Sequence, residues 1–327
     1  MIITRTPFRI SFVGGGSDLP AFYRMHGGSV LSTTIDKYMY ISSHDYFEAG
    51  QIRTKYSKTE TVNSVAELEH PILRTIMQRL GVGEGLEVSS IADVPAGTGM
   101  GSSSSFTVGT LHNLMAREGR LQEVNKAWLG EQACRVELED LGEPIGKQDQ
   151  YAAAFGGLNI IDFHANDHVT VSPIQLSAEG LFEFSSHLKL YYFGNQRSAS
   201  SILKEQSQRA SEVDKVQALK EMVGFVRPFA DRLRSGEWEA IGHLMDENWR
   251  LKQSLASGIS TQTIQDAYAA AQQAGAWGGK LLGAGGGGFL LFIAPPSQHL
   301  ALDHALSPLR PFPFTLETAG SQVIFNG

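Results

Sequence analysis

Residues 95–105 read Pro-Ala-Gly-Thr-Gly-Met-Gly-Ser-Ser-Ser-Ser, after an apolar run and before a helical spacing. No other stretch limits the fold as much. Gly97, Gly99 and Gly101 fall at every second position, so the backbone can approach a ligand closely. Ser102, Ser103 and Ser104 then open a helix whose free N–H groups and positive dipole end favour an anion, a diphosphate above all. Four consecutive serines are poor helix formers and would be odd here without a ligand to contact. The stretch is not the phosphate loop ending in Lys-Ser/Thr, because no Lys or Arg occurs between Pro95 and Arg117. Nor is it the G-x-G-x-x-G fingerprint, which speaks against a dinucleotide-dependent oxidoreductase.

With 42% hydrophobic and 19% charged residues, the 327-residue chain has the make-up of a globular protein large enough for two domains. A formal net charge of -7 argues against nucleic acid and anionic membranes as partners. It leaves an anionic small substrate open, since only the local field matters there. The lone cysteine, Cys134, allows no intrachain disulfide and suits a reducing compartment; its helical surroundings make it a small core residue. The first residues lack a signal-peptide apolar stretch, and no window approaches about 20 apolar residues. A cytoplasmic location is therefore expected.

Residues 2–13 read as a strand ended by Gly14-Gly15-Gly16, with a helix starting near Ser17-Asp18. Strand-like runs follow at 38–42, 51–56 and 86–91, with helical spacing at 71–80. Helices are expected at 103–117 and 126–140 and after Gln148, then strands at 158–163 and 188–193. Residues 198–257 form a long polar-amphipathic helical region, and Thr261 caps a helix over 261–274. Residues 280–292 carry a second glycine cluster that runs into an apolar strand. Strands and helices come in blocks without regular alternation, so the fold class is α+β. A junction is expected between Phe163 and Leu188, in the polar stretch 164–168 or near Ser185-Ser186, dividing the chain into domains of residues 1–175 and 176–327.

Besides residues 95–105, three segments carry suitable chemistry. In Arg5-Thr-Pro-Phe-Arg-Ile-Ser-Phe-Val-Gly-Gly-Gly-Ser-Asp18, Asp18 could accept sugar hydroxyls while Arg9 orients another carboxylate. Read alone, Arg9 is a surface residue and Asp18 a helix cap. Glu137 and the run Gly146-Lys-Gln-Asp-Gln150 offer a cation partner and a carboxylate near an attacking hydroxyl, as phosphoryl transfer requires. Alone, Glu137 is a solvated helix residue and Asp149 caps the helix that follows. The third segment, Gly279-Lys-Leu-Leu-Gly-Ala-Gly-Gly-Gly-Gly-Phe289, permits close approach of a ligand or of another loop; Gly285 and Gly286 are its candidate substrate contacts.

Together and in this order, these motifs resemble the GHMP small-molecule kinases, which include galactokinase and the homoserine, mevalonate and phosphomevalonate kinases. The resemblance runs from about Arg5 to Phe292. It implies a ribosomal S5 domain 2-like N-terminal domain and a ferredoxin-like C-terminal domain, with ATP and substrate in the cleft between. It places ATP on Pro95, Gly97, Gly99, Met100, Gly101, Ser102, Ser103 and Ser104, and Mg²⁺ on Ser103 and Glu137. Glu137 lies twelve residues before Asp149, as in galactokinases. Asp149 takes the place of the base and Arg9 that of the arginine holding it. Ser17 and Asp18 join the substrate contacts. Positioning and electrostatics should matter more than proton abstraction, as in phosphoryl transfer generally.

A galactokinase would carry Gly-Glu-His-x-Asp where this chain has Gly14-Gly-Gly-Ser-Asp18, which puts galactose in doubt. Gly14-Gly-Gly-Ser-Asp-Leu-Pro20, Leu31-Ser-Thr-Thr-Ile-Asp-Lys37 and Gly146-Lys-Gln-Asp-Gln150 resemble the subgroup acting on D-glycero-D-manno-heptose 7-phosphate. That resemblance implies phosphorylation of the anomeric C1 hydroxyl to the 1,7-bisphosphate, on the route to nucleotide-activated heptose for surface polysaccharides. The second phosphate needs its own cations. Lys37, Arg53, Lys55, Arg197 and Lys204 are candidates, with Arg197 preferred because it leaves a strand just before a helix start. The alternatives are a fucokinase-like or other anomeric kinase of an unphosphorylated sugar, and a non-catalytic sugar or nucleotide sensor. Nothing in the sequence identifies an oligomer surface.

Overall fold

The structure is a computed structural model and describes residues 1–194, 199–209 and 212–327. Its spine is a pair of long antiparallel strands, β1 (Ile2–Val13) and β2 (Gly28–Asp45), joined through the glycine turn and α1 (Pro20–His26). Three further strands, β3 (Ile52–Lys55), β4 (Thr59–Val62) and β5 (Leu86–Ala92), extend the sheet, with α2 (Pro71–Leu80) between β4 and β5. Helices α3 (Ser102–Arg117), α4 (Lys126–Cys134) and α5 (Gln148–Phe155) come next, followed by β6 (Asn159–Phe163) and β7 (Val169–Pro173). Helix α3 lies close on β1 because Gly109 has no side chain: a Cβ there would sit 2.9 Å from Thr6 Oγ1. Cys134 is buried in the core beside Tyr23 and Tyr151.

The second body begins with α6 (Ala178–Ser186) and β8 (Leu188–Tyr192). Five helices follow: α7 (Ala199–Arg209), α8 (Val213–Gly224), α9 (Val226–Ser235), α10 (Trp238–Gln253) and α11 (Gln262–Gln273). Thr261 caps the last, its hydroxyl accepting from the Ile264 amide. Then come β9 (Gly278–Leu281), β10 (Phe289–Ile293), α12 (His299–Ala305) and β11 (Arg310–Pro311). Strand order β11-β8-β10-β9, all antiparallel, is the 4-1-3-2 arrangement of a ferredoxin-like sheet.

Past residue 175 the chain builds the second body, but its end does not stay there. Strands β12 (Leu316–Glu317) and β13 (Gln322–Asn326) return to the first sheet, pairing with β2 and β1. Strand β2 also extends well beyond the expected residues 38–42, because the Ser/Thr-rich half before them lacks the apolar alternation that marks a strand in sequence. That half is a strand because it is buried between β1 and β6.

The bodies share a core at the end of β1. Residues 8–13 are buried on both faces, and Phe12 meets Phe184 and Phe229 at ring distances of 5.4 and 5.6 Å. Across the same boundary the Gly14 amide donates to Asn248 Oδ1 at 3.0 Å, and Lys280 Nζ donates to the Phe12 carbonyl at 3.1 Å. Burial pushes Lys280 well below the usual lysine range.

Candidate active site

A cavity of about 300 Å³ opens where the N-terminus of α3, the turn after β1, the start of α5 and the end of α10 converge. Two glycine-rich loops build one wall by packing on each other. Gly99, at φ +81, lies so close to the β9–β10 loop that a Cβ would sit 2.4 Å from the Leu282 carbonyl. Gly283 has the reciprocal relation to the Gly99 Cα, and Gly288 to the Thr98 carbonyl. Gly101, at φ +75, is the N-cap of α3, and no side chain caps the helix among the described residues. The first-turn N–H groups of Ser102, Ser103 and Ser104 thus border the cavity without an intrahelical partner.

Beneath this helix start Arg9 and Asp149 form a bidentate pair. Arg9 Nε and Nη2 donate to Asp149 Oδ1 and Oδ2, both at 2.7 Å, and Nη1 donates to the Gly99 carbonyl. Strand β1 holds the guanidinium in the interior at 4% exposure, while the Asp149 carboxylate keeps about a quarter of its surface open. The planar fork fixes the carboxylate in orientation as well as in charge. A Cβ on Gly101 would sit 3.2 Å from Asp149 Oδ2, so this glycine lets the helix start close over the pair.

Asp18 lies next to them and is almost fully buried. Its Oδ1 accepts from the Gly16 amide at 3.0 Å and its Oδ2 from the Gln148 amide at 3.2 Å. Burial raises its pKa above the usual carboxylate value, with the Asp149 charge adding to the rise and the two amides opposing it. The approach of residues 146–148 depends on Gly146, where a Cβ would fall 1.8 Å from Asp18 Oδ2.

Glu137 arrives by a different device. Helix α4 passes into a π-helical turn, Arg135–Asp140, which the sequence reading merged into one regular helix. Such turns recur at functional sites because they re-aim side chains. Glu137 is buried; Oε1 accepts from Ser103 Oγ at 2.6 Å, and Oε2 from Ser104 Oγ at 2.8 Å and Gln150 Nε2 at 2.6 Å. Burial pushes its pKa up, and the three hydrogen bonds oppose that. Glu137 is therefore no solvated helix residue.

Arg9, Asp18, Gly97, Gly99, Gly101, Ser102, Ser103, Ser104, Glu137 and Asp149 all line this one cavity. Others do not. Pro95 is exposed at the loop entrance, and Met100 is buried with its carbonyl accepting from the Arg9 amide. Ser17 turns inward and exchanges hydrogen bonds with the Ser29 backbone. Gly285 and Gly286 pack against Ile259, and the second loop meets the cavity through Gly283 and Ala284 instead. Arg197 lies outside the described residues. Lys37 is paired with Asp36 and Lys55 with Glu87, Arg53 stands over the Tyr46 ring, and Lys204 is exposed; none of the four lines the cavity. Gly16, Gln148 and, above all, Lys252 of α10 also line the cavity, and none of them stands out as a site residue in the sequence.

Comparison with known proteins agrees with this architecture. The GHMP kinases N terminal domain matches residues 62–157 and the GHMP kinases C terminal domain matches residues 229–303. Over 97% of both chains, the sequence is 27% identical to D-glycero-alpha-D-manno-heptose 7-phosphate kinase of Campylobacter jejuni. It is 25% identical to the bifunctional fucokinase/GDP-fucose pyrophosphorylase of Arabidopsis thaliana, over 89% of this chain and 30% of that one. A D-glycero-D-manno-heptose 1-phosphate kinase structure from Bacteroides thetaiotaomicron superposes over the full length of both chains, with a TM-score of 0.81 and 24% identity; this likeness is one of fold. A two-body α+β protein with an anion-ready helix start and a clamped carboxylate in one cleft is built for group transfer. The chain belongs to the GHMP kinase family, phosphotransferases with an alcohol acceptor that use ATP as phosphate donor. Among the described residues no helix is long and apolar enough to cross a membrane.

Proposed function

We propose that this protein transfers the γ-phosphoryl group of Mg-ATP to the anomeric C1 hydroxyl of D-glycero-D-manno-heptose 7-phosphate, giving the 1,7-bisphosphate and ADP. The observation that carries the catalytic part is the Arg9–Asp149 pair beside the uncapped start of α3. The sugar is supported by the Campylobacter jejuni relative, which covers nearly the whole chain. The reaction is assigned to the cytoplasm, where ATP is available, and the partners are ATP and the small-molecule sugar phosphate, with no nucleic acid or membrane. For the domains, the division at 175/176 is retained as the point where the chain leaves the first sheet, with residues 316–326 rejoining it.

In this reading the first-turn amides of α3 and the backbone of residues 97–101 receive the ATP phosphates. The acceptor hydroxyl lies against Asp149, which takes its proton as the new O–P bond forms and the bond from the γ-phosphorus to the ADP oxygen breaks. Arg9 keeps that carboxylate in place and adds positive charge where phosphoryl charge passes. Asp18 accepts a ring hydroxyl of the sugar. Ser103 Oγ and Glu137 are hard oxygen donors at the cavity edge and suit Mg²⁺, which is commonly held by one carboxylate with the substrate phosphates. When bound, Mg²⁺ neutralises charge on the phosphate oxygens. A buried carboxylate satisfied only by neutral donors gains from a cation at this place.

The test is ADP release with Mg-ATP across D-glycero-D-manno-heptose 7-phosphate, free heptose, mannose 6-phosphate, galactose and fucose. Turnover confined to the heptose phosphate is expected. Turnover of unphosphorylated sugars alone would overturn the heptose phosphate in favour of a fucokinase-like enzyme, a reading the Arabidopsis thaliana relative supports. ATP binding without turnover of any sugar would favour the sensor, against which stands the convergence of Ser103, Glu137 and Asp149 on one cavity.

A further inference from the structure

We propose that Lys252 receives the second phosphate of the acceptor sugar, with Gln206 as its positioning neighbour; this rests on the reading that the acceptor is a sugar phosphate. Among the described residues, two cations line the cavity, Arg9 and Lys252. Arg9 has its nitrogens engaged by Asp149 and the Gly99 carbonyl. Lys252 is the opposite case. It is only 6% exposed, and its ammonium reaches the Gly15 carbonyl at 3.5 Å and Gln206 Oε1 at 3.4 Å, both at the outer limit of a hydrogen bond. No carboxylate lies within 4.0 Å of it among the described residues; Asp18 acts on it only at longer range. An ammonium has three donors, and a buried charge left so loosely partnered is costly unless a guest completes it.

A second buried group points the same way. Gln206 Nε2, on α7, has no hydrogen-bond partner among the described residues although Gln206 is only 4% exposed. Lys252 Nζ and Gln206 Nε2 both face Gly16. A Cβ on that glycine would stand 3.3 Å from each, and φ +101 there disfavours any side chain. Gly16 thus keeps the approach to both donors open, and the set is one that a dianionic phosphate satisfies.

The position fits as well as the chemistry. Asp18 joins two regions of the wall, bonded through Oδ1 to Gly16 and through Oδ2 to Gln148, the neighbour of Asp149. The series therefore runs from Asp149 through its chain neighbour Gln148 to Asp18, Gly16 and Lys252. A sugar that presents one end to Asp149 and carries its phosphate at the far end needs a cation at the other end of that series. Lys252 sits near the last turn of α10, where a lysine reads in sequence as a solvated, dipole-complementing residue.

Lys252→Met tests the assignment, with D-glycero-D-manno-heptose 7-phosphate and unphosphorylated heptose compared at saturating Mg-ATP. The KM for the sugar phosphate should rise by about tenfold to a hundredfold, the loss of one charge-assisted hydrogen bond. The preference for the phosphorylated over the free sugar should fall by the same factor, with the ATP KM near native. Lys252→Arg should recover part of that preference. Gln206→Leu leaves the charge in place and should lower the preference by a smaller factor, which keeps the test open if Lys252→Met does not fold. Equal losses on both sugars would make Lys252 a structural lysine and overturn the proposal. A native enzyme that prefers the sugar phosphate and a Lys252→Met enzyme with the same preference would overturn it while leaving the parent reading intact. A native enzyme without that preference removes both.

Discussion

Two cation–carboxylate couples share the cavity, and they are built in opposite ways. In the first, Arg9 and Asp149 meet through two 2.7 Å hydrogen bonds, with the remaining guanidinium edge on a backbone carbonyl. In the second, Asp18 spends its oxygens on the amides of Gly16 and Gln148, and Lys252 turns to Gly15 and Gln206, so the two charges influence each other without a bond. The difference separates two jobs. A group that must be correctly placed at the moment of phosphoryl transfer gains from being locked beforehand, since no reorganisation then adds to the barrier. A group that must receive a guest cannot be locked, because its donors have to remain available. The contrast predicts that damage to the first couple appears in kcat and damage to the second in the KM for sugar.

Asp149→Asn strikes the first couple hardest, keeping the shape while removing the charge and the proton acceptor. We expect kcat to fall by about 10²–10⁴, the usual span for a general base, while direct titration shows ATP affinity near native. A kcat close to the native value would mean that the closed couple is structural, and the contrast would fail. Arg9→Lys comes next. It retains a positive charge but loses the two-pronged geometry, leaving part of a buried ion pair unmatched. A stability loss of about 1–3 kcal/mol in urea unfolding is expected, together with a smaller drop in kcat than for Asp149→Asn. If kcat were unchanged, orientation of Asp149 by the fork would have no part in turnover.

Gly146→Ala sharpens the comparison from the other side. The new methyl would stand 1.8 Å from Asp18 Oδ2, so either the carboxylate or the 146–148 backbone must yield. Overpacking of this kind costs about 1–3 kcal/mol, and the displaced Asp18 should raise the sugar KM more than it lowers kcat. A kcat loss with native sugar KM would show that the two couples are not separable.

How much of this was legible in the chain depends on whether a residue acts within its own segment or across the fold. The loop through Gly99 and Gly101, with the serines that open α3, is local: glycine spacing and a helix start already state the chemistry. The family resemblance supplied Arg9, Glu137 and Asp149, and only the twelve-residue interval shared with galactokinases ties Glu137 to Asp149, because β1, the π-helical turn and α5 meet only after folding. The four consecutive glycines at 285–288 misled, since their freedom serves packing on Ile259 and Thr98 while Gly283 and Ala284 face the cavity. Lys252 left no sequence signal at all. One lysine on a polar-amphipathic helix becomes a buried cavity group only through the packing of α10 between the two bodies. The return of residues 316–326 to the first sheet was equally hidden, because strand pairing over three hundred residues leaves no periodicity to read.

The smallest expected effect is the pH dependence of the open couple, and it has two signs from one group. Burial brings Lys252 down from 10.5 to about 8, with the Arg9 charge adding to the fall and Asp18 opposing it; the buried Lys280 stands near the same couple. Below about 8 the ammonium is present in the folded protein, and above it the charge is lost. Since a sugar phosphate is a dianion well above a second pKa of about 6, kcat/KM for it should decline as pH rises through about 8. The decline should vanish in Lys252→Met and move to higher pH in Lys252→Arg. Stability runs the other way. Between about 8 and 10.5 the unfolded chain holds a proton that the folded chain has released, so this group's penalty on folding shrinks as pH rises. The unliganded protein should therefore gain melting temperature relative to Lys252→Met across the same range in which it loses sugar phosphate affinity. A lysine that was solvated would show neither trend, and one that was merely buried would show the second without the first.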